Sequence, residues 1–288
     1  MRFALAAAFL LVALATSRAE SNLKVEEIYK GWLQMYNLRF DEAHQTFAHY
    51  REKFPEDPLA PASDAAAYLF AEFARLEVLE SELFVSDSSF LHRKKLEPDA
   101  KAREQFLKRL EEADRLADLA LQKSKTDAAG LFVKTLVFGL RADYATLIEK
   151  QGFKGLSYTK EGRPYAEQLL QADPTAFDAY LGPGIENYML SQKALPLRML
   201  LRFTGSQVDR EKGLDELRQT AAKGYYLEPF AKLLLGVASL RDNQKEKARQ
   251  ILTELHTRFP ENPLYTRELE RMQEAISSPP PNESKASR

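Results

Sequence analysis

Two octapeptides, KFPEDPLA at 53–60 and RFPENPLY at 258–265, nearly coincide although 205 positions separate Pro55 from Pro260. Each spells the end of one helix and the start of another. Proline lacks an amide donor and pushes the residue before it out of the helical region, so Pro55 and Pro260 stop whatever helix precedes them. Asp57 and Asn262 can then cap a following helix, with Pro58 and Pro263 at its first turn, where a missing donor costs nothing. The chain therefore opens and closes on matching helical hinges. Between them the apolar spacing stays helical: Ala113, Leu116, Ala117, Ala120 and Leu121 recur at steps of three and four, as do Ala248, Ile251, Leu252 and Leu255. No stretch of comparable length alternates every second residue, which predicts an all-α protein.

The residues upstream of each hinge resemble the tetratricopeptide repeat. In LLLGVASLRDNQKEKARQILTELHTRFPENP, Gly236, Ala248, Leu252 and Pro260 fall at that repeat's offsets. In YKGWLQMYNLRFDEAHQTFAHYREKFPEDP, Gly31, Phe40, Ala43, Phe47 and Pro55 do the same. Weaker helix ends lie near Lys125, Pro174 and Tyr226, giving spacings of 70, 49, 52 and 34 from Pro55 to Pro260. Only the last matches the standard period of about 34. The resemblance implies a right-handed solenoid of antiparallel helix pairs, about five units plus a capping helix, in one domain over 20–276. The three middle units are expected to carry insertions near 83–97, 145–163 and 191–209. A narrower likeness covers 173–240. There GPG at 182–184, Leu195-Pro196, Leu200-Leu201, TGSQVDREKGLDEL at 204–217 and the following AAKGYY resemble the central portion of the tetratricopeptide repeat protein 39 family, whose members are regarded as scaffolds rather than enzymes.

The termini stand apart from this pattern. Met1 and Arg2 precede an apolar run of about 13 residues and a small-x-small exit at Ser17, Arg18 and Ala19. The run is too short to span a bilayer, which needs roughly 20 residues. It predicts a signal peptide over 1–19 and an exported protein. The chain holds no cysteine, so no disulfide, thiolate metal site or lipoprotein anchor is available. That absence points to a bacterial periplasm or exterior, since larger secreted eukaryotic chains more often carry disulfides. The polar, proline-rich 277–288 reads as a disordered tail. A net charge of −1, or −3 after removal of the signal, gives no footprint for nucleic acid.

Chemistry is sparse. His44 and His49 stand five apart and do not share a helix face as the pair of a zinc helix would. No nucleophile elbow, phosphate loop or dinucleotide fingerprint occurs. The carboxylates alternate with Lys and Arg at helical steps, as on a solvated face, and GPG together with Trp32 reads as close helix packing. No catalytic residue, metal or cofactor is expected. The three insertions together carry a charge of +5 against −8 for the rest of the mature chain. Their basic residues are Arg93, Lys94 and Lys95, then Lys150, Lys154, Lys160 and Arg163, then Lys193, Arg198 and Arg202, with Tyr158 among them. If the insertions project from one edge, these form a basic rim beside a concave groove. The function expected is an exported, non-catalytic scaffold or adaptor that takes a protein or peptide in that groove. A module for a lipid or small apolar molecule is the alternative, with LPLRMLLRF at 195–203 as a lid or membrane-surface contact. It requires an apolar cavity. A hydrolase, the third reading, requires two acids converging in one pocket with divergent environments.

Overall fold

The computed structural model describes residues 23–79 and 97–277, and these are helical with no strand among them. The helices are α1 (Glu26–Tyr36), α2 (Phe40–Lys53), α3 (Leu59–Arg75), α4 (Ala100–Lys123), α5 (Ala128–Asp143), α6 (Gly152–Ala172), α7 (Leu181–Ser191), α8 (Leu195–Phe203), α9 (Arg210–Lys223), α10 (Glu228–Arg241), α11 (Lys245–Arg258) and α12 (Pro263–Ser277). A π-helical turn (Tyr144–Ile148) follows α5 and a 3-10 turn (Phe177–Tyr180) precedes α7. Successive helices pack on one another, except that α7 packs on α9 and carries α8 as an outlying element. The expected signal peptide, the first insertion with Arg93, Lys94 and Lys95, and the tail beyond 277 lie outside the described residues.

Two kinds of turn recur along the chain. After α2, α4, α6 and α11, the helix ends at Phe54, Ser124, Asp173 and Phe259, and the N–H three residues on bonds back to that residue's carbonyl at 3.0–3.1 Å. The two octapeptides leave their helices with the same geometry, Phe54 at φ −130, ψ 68 and Phe259 at φ −127, ψ 67. Capping follows the sequence expectation in the second octapeptide, where Asn262 Oδ1 accepts from the Leu264 N–H at 3.1 Å; in the first, Pro58 holds the N-cap position and Asp57, one residue earlier, accepts from the Leu59 N–H at 2.8 Å. The other turn follows α1, α3 and α10. There Leu38, Glu77 and Asn243 adopt the left-handed region, at φ 60, 52 and 56, and the next N–H reaches back over the last helical turn.

The second insertion does not form a loop. Residues 144–148 make the π turn, and 152–163 are the first half of the 21-residue α6. It holds three glycines, Gly152, Gly155 and Gly162, and two of them serve packing. A Cβ on Gly162 would stand 2.7 Å from Phe138 Cβ, and one on Gly155 1.9 Å from Thr146 Oγ1. The repeat-signature residues divide in the same way. At Gly31 a Cβ would sit 2.3 Å from the Phe47 ring, whereas at Gly236 the nearest atom is Ile251 Cγ2 at 3.5 Å. Ala43, Phe47, Ala248 and Leu252 are buried, while Pro55 and Pro260 lie exposed in the hinges. Gly31→Val is therefore expected to cost about 2 kcal/mol by overpacking, and Gly236→Ala to be neutral or slightly stabilising. Urea unfolding midpoints compare the two.

The first and last helices meet. Asn262 Nδ2 donates to the Tyr36 carbonyl (3.0 Å), the Glu261 N–H donates to Asn37 Oδ1 (3.0 Å), and Arg39 pairs with Glu261. Tyr226 completes the junction from the α9–α10 connection. Its hydroxyl donates to the Leu23 carbonyl (2.6 Å) and accepts from the Val25 N–H (2.9 Å), and its carbonyl accepts from Tyr36 Oη (3.0 Å). Its ring lies 5.9 Å from both Trp32 and Phe132.

Candidate functional site

Helices α5, α6 and α7 enclose a partly open, mainly apolar cavity of about 100 Å³, backed by Trp32, Phe70 and Phe230 from α1, α3 and α10. An engineered cavity of roughly 150 Å³ accepts benzene, so this one has room for a small apolar group.

Two glycines shape it. Gly139 in α5 and Gly182 in α7 both line the cavity, and a Cβ on either would meet nothing within 4 Å. Neither has a positive φ, so neither is a glycine for conformational reasons. Gly139 in a helix interior forgoes roughly 1 kcal/mol relative to Ala. The sequence reading of GPG as close packing therefore applies to one of its glycines: a Cβ on Gly184 would stand 3.1 Å from Leu217, but Gly182 opens onto empty space. Trp32 lies in the core as expected, its Nε1 donating to Ser63 Oγ at 2.9 Å, and it also forms part of the cavity wall.

Three carboxylates line the cavity in different surroundings. Glu186 is almost wholly buried, 1% exposed, and pairs through both oxygens with the Arg163 guanidinium, also accepting from the Gln207 N–H at 3.1 Å. Asp178 accepts from the N–H groups of Tyr225, Tyr226 and Leu227 at 2.9–3.1 Å. Burial pushes its pKa up, and those three donors favour the ionised form against it. Asp143 is the exception. It ends α5, precedes the π turn, makes no side-chain cap, and has no hydrogen-bond or ion-pair partner among the described residues. It keeps some accessible surface, yet enough protein surrounds it that desolvation alone pushes its pKa up to about 7. A carboxylate so placed can take or release a proton near neutrality, or hold a cation. Sequence reasoning missed it, because an Asp closing the apolar run LFVKTLVFGLRAD looks like a solvated helix end. A π turn, often found at functional sites, leaves no sequence signature.

The basic residues expected on a rim are distributed among several roles. Arg163 lies at the cavity and ties it to the α8 segment, donating to the Gly205 carbonyl at 2.9 Å. Lys160 donates to the Thr204 carbonyl at 2.8 Å, so the second and third expected insertions do meet. Lys154 pairs with Glu149 at 3.6 Å and stands 6.0 Å over the Tyr158 ring. Lys150 occupies a left-handed turn at φ 60. Arg198 and Arg202 donate to the carbonyls of Ser191 (3.4 Å) and Val208 (2.8 Å). Lys193 lies in the middle of the short connection into α8. His44 is bound to Asp64 at 2.5 Å, and no cluster of metal-ligating side chains occurs among the described residues.

No protein-family profile matches the chain, and a search of curated proteins finds no match either.

Proposed function

We propose that the protein is an exported, non-catalytic binding module built as a tetratricopeptide-like stack of antiparallel helix pairs capped by α12. Its ligand is a small, largely apolar molecule with a cationic or hydrogen-bond-donating head. The apolar part fills the α5–α6–α7 cavity and the head takes the Asp143 carboxylate. One observation carries this reading: an unpartnered carboxylate in an apolar cavity kept open by two glycines that no packing contact requires. Three acids of different surroundings in one cavity are also what the hydrolase reading asks for, but Glu186 and Asp178 are engaged by Arg163 and by backbone N–H groups, and the binding reading is preferred because it needs only the one unengaged acid, Asp143. The Tyr226 ring packs between Trp32 of α1 and Phe132 of α5, which leaves less room there for a peptide than an open groove would. The peptide-scaffold reading keeps one support of its own, a cleft of about 1060 Å³ between the 55–58 hinge and the C-terminal ends of α4 and α6, with exposed Leu119 on its wall.

Isobutylamine and benzylamine serve as probes, followed by chemical-shift changes in the cavity-lining residues. Both are expected to perturb Leu136, Ile185 and Leu181, more strongly at pH 8 than at pH 5 because the ionised carboxylate is the acceptor. Gly182→Val, whose side chain occupies the cavity, should remove the response without unfolding the protein. Equal responses from Asp143→Asn and the native chain would show that the carboxylate is not the recognition group.

A further inference from the structure

Helix α8 presents its apolar side outward. Leu201 is its one buried side chain, while Leu195, Leu197, Met199 and Leu200 are exposed and Phe203 is 90% exposed. At 100° per residue, Leu195, Met199, Phe203, Pro196, Leu200 and Leu197 sweep one continuous arc, and Arg202 followed by Arg198 adjoin its Leu195 edge. Phe153, 87% exposed, lies at the start of α6, the helix whose Lys160 reaches the end of α8. It stands seven residues, two helical turns, before Lys160 on α6, and Lys160 is bonded to the carbonyl at the end of α8. Two nearly bare phenylalanines and a row of aliphatic side chains thus share a surface that a soluble protein does not ordinarily leave open.

The charge around this surface selects what can cover it. Residues 191–209 hold Lys193, Arg198 and Arg202 against a single acid, Asp209, whose carboxylate accepts from the Lys212 N–H at the start of α9. Lys160, Arg198 and Arg202 spend their donors on backbone carbonyls, and no acidic side chain pairs with them among the described residues. Arg202 and Arg198 thus stand at one border of the apolar arc, bonded to backbone carbonyls and not to carboxylates. An exposed apolar arc bordered by cations matches an anionic bilayer, in which aliphatic and aromatic groups enter the headgroup boundary while the cations meet lipid phosphates. No helix among the described residues is long and apolar enough to cross a membrane, so the contact would be peripheral.

We infer that α8 and Phe153 form a membrane-surface anchor for anionic phospholipid bilayers. The surface lies outside the α5–α6–α7 cavity and does not depend on a ligand there. Co-sedimentation of the full chain uses vesicles of phosphatidylcholine alone and of phosphatidylcholine with 30% phosphatidylglycerol. The expected result is binding to the anionic vesicles, weakened at least tenfold by high salt or by omission of phosphatidylglycerol. Leu200→Glu with Phe203→Glu should abolish binding while the circular dichroism melt stays unchanged, because both side chains are already in water. Lys160→Gln, Arg198→Gln and Arg202→Gln together should weaken it by on the order of a hundredfold, each charge near an anionic surface contributing about a factor of five. Binding that is equal for neutral and anionic vesicles, or absent for both, overturns the inference. So does a self-association in sedimentation velocity that Phe203→Glu removes, which would assign the face to a second copy of the chain.

Discussion

Asp143→Asn is expected to raise the melting temperature by roughly 5 to 15 °C at pH 8 and to leave it unchanged at pH 4. The sign follows from the direction of the pKa shift. Desolvation lifts the folded-state value from 3.8 to about 7, so between those limits the folded protein holds a proton that the unfolded chain has lost. Stability therefore falls as pH rises from about 4 to 7 and is level above, in contrast to a salt-bridged aspartate, whose stabilisation grows over its range. A shift of this size corresponds to about 4 kcal/mol as an upper bound, and solvent reaching the carboxylate through the cavity reduces it to roughly 2–4 kcal/mol. Asparagine is neutral at every pH and removes the penalty. Thermal unfolding of the two proteins from pH 4 to 9 gives the curve directly; parallel curves would mean that Asp143 is not desolvated. A destabilising acid in a cavity is also what a binding site held at the expense of stability looks like. The same substitution should stabilise the fold and remove the amine response together.

Asp178→Ala is expected to lower stability by about 3–6 kcal/mol, because it strands the buried N–H groups of Tyr225, Tyr226 and Leu227. Those three groups fix the entry to α10, and with it the Tyr226 ring that bonds to Leu23, Val25 and Tyr36. The damage should be uneven. Hydrogen exchange at the Val25 amide, whose partner is the Tyr226 hydroxyl, is expected to accelerate at least tenfold more than exchange at Leu252 inside α11. Asp178→Asn retains an acceptor oxygen and should recover part of the loss. A cost below 1 kcal/mol for the alanine variant would mean that water or a moved backbone replaces the carboxylate.

The hinges and helices were legible because their causes are local. Proline, the capping Asp57 and Asn262, and apolar steps of three and four act within a few residues, and the weaker markers at Lys125, Pro174 and Tyr226 each fall within three residues after the end of a helix. What stayed hidden is made by partners distant in the chain. The stretch 145–163 reads as an insertion until Thr146 and Phe138 are seen packed against Gly155 and Gly162. Arg163 looked like an edge charge because Glu186, 23 positions later, sits in an apolar context that gives no sign of an ion pair. Asp143 acquires its environment from α6 and α7, and its own neighbours in sequence say nothing of it.

The bonds between α1 and the second octapeptide also bear on how this chain reaches its fold. In a linear stack of repeats each unit touches only its neighbours, so folding can begin anywhere and either end can melt first. Here Tyr36 and Asn262, 226 residues apart, hold one another. Closing a segment of that length from the unfolded chain would cost about 5 kcal/mol in chain entropy, so the two ends are expected to meet only after the helices between them have ordered. The late and slow event in folding is then the meeting of the two ends, and neither end can be trimmed back one helix pair at a time without releasing the other.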